Sequence, residues 1–304
     1  MLRNIRKKSG LSQSKVKDMT GIHEDTLRKL ENGLVIPKYE TIEILSVLYK
    51  CDLLKVLENY RKDENFYKYY KRMDLIISNN EFSLLDELIS DFKEDVKNYP
   101  LPSLLISNVE LRQFELFLNA ITDYRLNTIY SHKNAEQILL DALSLTINDF
   151  KIDILESFCY NFFEIRILLL LGLIKEMLGE RPLSTKILLF VLEYLIQGSD
   201  IEHETQILIL KIYTNLSYNY HKEDNNILAL KYAEEGIDYA IKNSNMNFLF
   251  LLFGRKGIAE FRLDYPCYLD SLQKSIHLLE INKQFKLAEV YKHTYYEKYK
   301  ISLQ

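Results

Sequence analysis

The sequence predicts an all-α protein: a small N-terminal helical bundle, then a right-handed array of about five helix pairs closed by one last helix. Three observations lead there. Only 9 glycines and 5 prolines occur among 304 residues, too few for a turn-rich β protein. Pro37, Pro100, Pro102, Pro182 and Pro266 all fall between periodic segments, where a missing N–H costs least. From about Asn59 onward, apolar helices alternate with short polar breaks, and the resulting pairs repeat at about 40 residues.

The bundle comes first. In "LRNIRKKSG", Leu2 and Ile5 share an apolar face, Arg3, Arg6, Lys7 and Lys8 lie elsewhere, and Gly10 stops the helix. Ser12 is placed to cap a second helix running to about Met19. Gly21 supplies the positive φ of a tight turn, Ile22 plugs it, and His23 to Glu31 forms a third helix with Leu27 and Leu30 inward, ended by Asn32 and Gly33. Two further amphipathic helices follow Pro37.

Charge separates the two parts. Residues 1–61 carry 12 Lys and Arg against 8 Asp and Glu, whereas the whole chain has formal net charge −4. A basic head on an acidic body predicts that only the head meets a polyanion. Cys51, Cys159 and Cys267 are widely spaced, which predicts buried, reduced thiols rather than a disulfide framework or metal site. No signal-peptide pattern opens the sequence, and its most apolar run, Ile167 to Ile174, is far short of the ~20 residues a bilayer span needs. The expectation is a cytoplasmic chain with no membrane contact. No phosphate loop, metal-ligand spacing or nucleophile elbow is present, so neither an enzyme nor a cofactor is expected. The six histidines are read as surface or cap residues.

The spacing Leu11-Ser12-Gln13, Val16, Gly21-Ile22, Thr26-Leu27, Leu30-Glu31, Gly33, Pro37, Glu40-Thr41-Ile42 and Leu45 resembles the Cro/C1-type helix-turn-helix of phage repressors and many bacterial regulators. The resemblance implies double-stranded DNA as partner. It places Gln13 against a backbone phosphate, and His23, Glu24, Asp25 and Arg28 toward base edges in the major groove, with Lys29 and Asn32 nearer phosphates. Arg28 suits a bidentate contact to guanine. Glu24 and Asp25 are unusual there: they either accept from cytosine or simply favour the positive end of the helix dipole.

Tyr213 to Ile241 resembles a tetratricopeptide repeat. Tyr213, Leu216-Ser217 and Tyr220 stand at its aromatic and Leu-Gly positions, and Ala229, Ala233 and Gly236 at its small ones. The next unit fits more loosely around Phe253 and Gly257. A Cro-type head (residues 1–58) joined to such repeats (59–304) is similar to the peptide-sensing regulators of Gram-positive bacteria, the Rgg/NprR/PlcR/PrgX group. That likeness implies a homodimeric quorum-sensing regulator, with a short signalling peptide on the inner face of the array controlling the heads. Lys211 and Asn215, four apart on one helix, match the carboxylate-clamp positions of peptide-binding tetratricopeptide domains, and Arg255 takes the place of Asn215 in the next unit. Asn161, Arg166 and Arg112 are further peptide candidates. Two other readings remain open at this point: a scaffold that grips a partner protein, and a phage-type repressor with no ligand.

Overall fold

The computed structural model describes residues 2–55, 67–79, 81–98, 108–197 and 203–303. The predicted breaks at 99–102 and 198–202, and the predicted domain boundary after residue 58, lie outside them. Among the described residues all regular structure is helical, and the chain forms two compact units, Met1–Ser107 and Asn108–Gln304.

The first unit opens with α1 (Leu2–Lys8), α2 (Gln13–Thr20), α3 (Glu24–Glu31) and α4 (Tyr39–Tyr49). Their termini follow local chemistry. The Ser12 hydroxyl accepts from Lys15 N–H at the start of α2, and Gly21 ends that helix at φ 74°, a left-handed value that favours glycine. His23 caps α3 through its ring, and Asn32 closes it. Leu2, Val16, Leu27, Leu30, Ile42, Leu45, Tyr49 and Leu53 form one core, with Ile5, Leu11 and Ile22 packed against it. Each large apolar side chain in such a core contributes roughly 1.5–3 kcal/mol. The same unit contains α5 (Tyr67–Asn79) and α6 (Leu85–Asn98), the first helix pair beyond the head.

The second unit is built of pairs: α7 (Asn108–Leu126) with α8 (Ile129–Ser144), α9 (Phe162–Met177) with α10 (Arg181–Ile196), α11 (His203–Lys222) with α12 (Asn226–Lys242), and α13 (Leu249–Arg262) with α14 (Tyr268–Ile281). α15 (Phe285–Tyr299) packs on α14. First helices also touch across pairs, α7 on α9, α9 on α11 and α11 on α13. The first helices are therefore the inner layer. α9 is buried continuously from Glu164 to Lys175, as a helix apolar on every side must be.

Small residues set the close approaches. A Cβ on Gly236 would lie 2.8 Å from Leu252 Cδ2 and 2.9 Å from Tyr213 Cβ, so only glycine lets α12 approach α11 and α13 this closely. Ser217 Oγ donates to the Ala229 carbonyl at 2.8 Å, and Tyr220 stacks on Tyr232 with ring centres 5.3 Å apart.

Four expectations need correction. The break expected at "YSHKN" lies earlier, at Asn127-Thr128, because Thr128 and Ser131 form a reciprocal capping box that starts α8 at Ile129. His132 is consequently inside the helix and buried, not a surface or cap residue. Cys159 and Cys267 are exposed and Cys51 only half-buried, since each sits in a turn or connection rather than on an inward helix face. Arg6 is buried as well: it lies four residues from Leu2 and so shares its face.

Candidate functional sites

The head has a charged interior that holds α3. Arg6 Nε and Nη2 donate to the two carboxylate oxygens of Glu31 at 2.5 and 3.0 Å, and Nη1 donates to the Leu11 carbonyl at 2.7 Å. Gln13 Nε2 donates to Glu31 Oε2 at 2.9 Å. The end of α3 is thus tied to α1 and to the first residue of α2. Burial pushes the Glu31 carboxyl up, but the hydrogen bonds from Arg6 and Gln13 outweigh it and hold the group below its ordinary value. Beside it the Tyr49 hydroxyl is buried without a partner, and burial, helped by the Glu31 charge, pushes its phenol up to about 12.

With Leu27 and Leu30 in the core, the remaining faces of α3 are turned outward. His23, Arg28, Lys29 and Asn32 are exposed, Glu24 and Asp25 half-exposed, and Gln13 half-exposed beside them. Asp25 pairs with both cations of its own helix, Arg28 at 2.7 Å and Lys29 at 2.8 Å. Those two partners, Lys29 first, hold its carboxyl down at about 2. Glu24 lies 4.0 Å from Lys17 of α2. All seven predicted DNA contacts therefore gather on α3 and the start of α2. Asp25 also has a local role, steering the Arg28 guanidinium while lowering the net positive charge of the surface.

The predicted peptide residues are less uniform. Asn161 caps α9, its side-chain oxygen accepting from Phe163 and Glu164 N–H. Arg166 is buried within α9. Arg112 is exposed and donates to Glu115 at 2.5 Å. Lys211 and Asn215 are both half-buried on α11, and Asn215 Nδ2 donates back to the Lys211 carbonyl at 2.7 Å. Arg255 on α13 differs from all of these. Its Nε is buried with no hydrogen-bond partner, and its guanidinium lies 4.5 Å from the ring centre of Tyr218 on α11. Lys211, Asn215 and Arg255 thus lie on neighbouring first helices, while Asn161, Arg166 and Arg112 are engaged in caps, core or local pairs.

Sequence reasoning missed the surroundings of Arg255. Tyr218 of α11 lies against it, and the phenols of Tyr291, Tyr295 and Tyr299 on α15 are near enough to act on its charge. The one local signal is the i, i+4, i+8 spacing of three tyrosines on α15, which aligns them on one face. Among the described residues no group of three or more His, Cys, Asp or Glu is placed to hold a metal ion, and no helix is long and apolar enough to cross a membrane.

Residues 2–56 match the helix-turn-helix family. No curated protein matches the chain by sequence. Among solved structures, the fold is similar to Bacillus thuringiensis PlcR in complex with the peptide PapR7 and DNA, at a TM-score of 0.74 and 12% identity over 95% of this chain and 96% of that one. It is also similar to the Streptococcus dysgalactiae SHP pheromone receptor Rgg2, at 0.58 and 11% over 98% and 97%. PlcR in its apo form follows, at 0.58 and 13% over 92% and 97%. This chain joins a DNA-binding head of the helix-turn-helix family to a helical-repeat body, the fold that PlcR and Rgg2 also have.

Proposed function

We propose that this chain is a cytoplasmic transcription regulator, homodimeric, in which residues 1–58 read an operator and residues 59–304 bind a short signalling peptide that controls the heads. The observation that carries the DNA half is the rigid presentation of α3. Its inward residues are in the core and its last residue is bracketed by Arg6 and Gln13, so Arg28, Lys29 and Asn32 are offered outward on a fixed frame. On this reading Arg28 addresses a guanine and Gln13, Lys29 and Asn32 address phosphates, with His23, Glu24 and Asp25 at the base edges. Asp25 answers part of the positive charge, which lowers the affinity of one head and favours two heads acting together on half-sites about one DNA turn apart.

The peptide half is supported by the inner layer of the second unit, where Lys211, Asn215 and Arg255 lie on adjoining helices. Asn side chains bond both edges of a peptide backbone, and guanidinium pairs with carboxylate. A peptide acts as a switch only if it binds one conformation of the array more tightly than another.

The test is fluorescence anisotropy of the purified full chain. Labelled duplexes from its own upstream region are titrated at low salt, with and without synthetic peptides encoded by adjacent small reading frames. Expected are salt-sensitive duplex binding and a peptide-dependent shift in its affinity. No duplex binding under any condition removes the regulator reading. Duplex binding indifferent to every peptide leaves a ligand-independent repressor.

A further inference from the structure

Arg255 carries a charge that the described protein does not answer. No carboxylate among the described residues pairs with it, and its buried Nε has no acceptor. The residue as a whole is half-buried. Around it stand tyrosines from two helices. Tyr218 of α11 lies under the guanidinium at 4.5 Å, and Tyr291, Tyr295 and Tyr299 line up along α15. The Tyr299 hydroxyl lies 3.1 Å from His221 Nε2 of α11, which fastens the end of α15 across the inner layer. The Tyr295 hydroxyl lies 3.3 Å from Ser275 Oγ.

A guanidinium cannot shed its proton at ordinary pH, so burial must be compensated by acceptors or by an opposite charge. One tyrosine face returns only part of that compensation. Burial also lowers the affinity of Arg255 for its proton, with nearby phenols opposing the effect weakly. A packing arginine would have found a carbonyl or carboxylate, as Arg6 does. The planar fork of a guanidinium matches the planar, two-oxygen edge of a carboxylate, and the flanking rings suit an apolar group joined to it.

We propose that Arg255, walled by Tyr218, Tyr291 and Tyr299, receives the terminal carboxylate of a short peptide, with the peptide's last, apolar side chain against the tyrosine rings. The assignment of the carboxylate to a peptide rests on the reading in the preceding section; the carboxylate site itself does not. The consequence is a preference for a free C-terminus over an amidated one, and a fixed direction for the peptide, its end lying between α11, α13 and α15.

Two measurements on the full chain test this. In the first, the arginine Nε–H resonances are followed by NMR while 3-phenylpropionate or its uncharged amide is added, the Arg255 signal being identified by its loss in Arg255→Lys. A saturable downfield shift with the acid alone is expected; no shift with the acid overturns the proposal. In the second, fluorescein-labelled pools of seven-residue peptides, free of Asp and Glu and ending in Phe or Leu, are compared as acids and as amides by anisotropy. The acid pool is expected to bind about tenfold or more tightly, with the preference lost in Arg255→Met. Equal binding of acid and amide overturns this proposal while leaving the peptide reading intact. A shift with the small acid but no binding of either pool removes the peptide from both readings and leaves a site for small carboxylates. Amidated pools that regain affinity when one Glu is included assign the site to an acidic side chain and overturn the terminal preference.

Discussion

Arg6 of the head and Arg255 of the body are both guanidiniums drawn out of water, and the protein treats them in opposite ways. Arg6 is bracketed by both oxygens of Glu31 and by the Leu11 carbonyl. Arg255 has a buried Nε with no acceptor and leans on the Tyr218 ring. A fully answered buried charge holds a structure together. An unanswered one is a cost the fold retains, and such costs gather where a ligand completes the set. The contrast separates the two arginines by chemistry, not by position.

The largest expected effect tests the answered side. Arg6→Met leaves Glu31 buried without its counter-charge and should cost about 3–5 kcal/mol, read as lost hydrogen-exchange protection of α1 to α4 in the full chain. Pairing it with Glu31→Leu should restore most of that protection, because an apolar pair of similar volume is about as stable. A single variant as protected as the parent would break the comparison. Next comes a purely structural position beside the body's inner layer. Gly236→Ala places a methyl group into Leu252 and Tyr213 and should cost about 1–3 kcal/mol, seen as a lower urea midpoint for the second unit.

A smaller effect follows from titration. The Glu31 carboxyl is held below its ordinary value in the fold, so the unfolded chain takes up its proton first as pH falls. Its stabilisation is complete above the unfolded value of about 4.3 and is lost as pH drops through the lower folded value. Melting curves between pH 5 and 2 should therefore show an acid-dependent loss in the head that Glu31→Gln flattens. Last and least, Arg255→Met should change urea stability of the second unit by no more than about 1 kcal/mol, or raise it, since an unpaired charge is being replaced by an apolar chain. A loss as large as that of Arg6→Met would show Arg255 to be structural and would erase the distinction.

How much of this was readable in advance depended on the distance between partners. Ser12, Gly21 and His23 act on residues two to four positions away, so the turns and ends of α2 and α3 could be placed from their neighbours alone. Ala229, Ala233 and Gly236 mark one helix face by spacing. The capping box at Thr128 was also local, yet the polar run Ser131 to Asn134 drew the predicted break past it, and His132 went with it. The Arg6–Glu31 pair spans 25 residues. Its signal was the four-residue step from Leu2 to Arg6, and the basic letters around it obscured that step.

For the proposed site around Arg255 the distances are longer still. Tyr218, Arg255 and Tyr299 come from three helices, and His221 meets Tyr299 across 78 positions. Local rules (caps, glycines, apolar period, charge balance) determined an all-α chain with a basic helical head and a paired-helix body, because backbone preference and face selection depend on residues within about one turn. Which charges are answered and which are left open was decided only by tertiary packing, because a counter-ion is a partner in space and no short-range pattern specifies it.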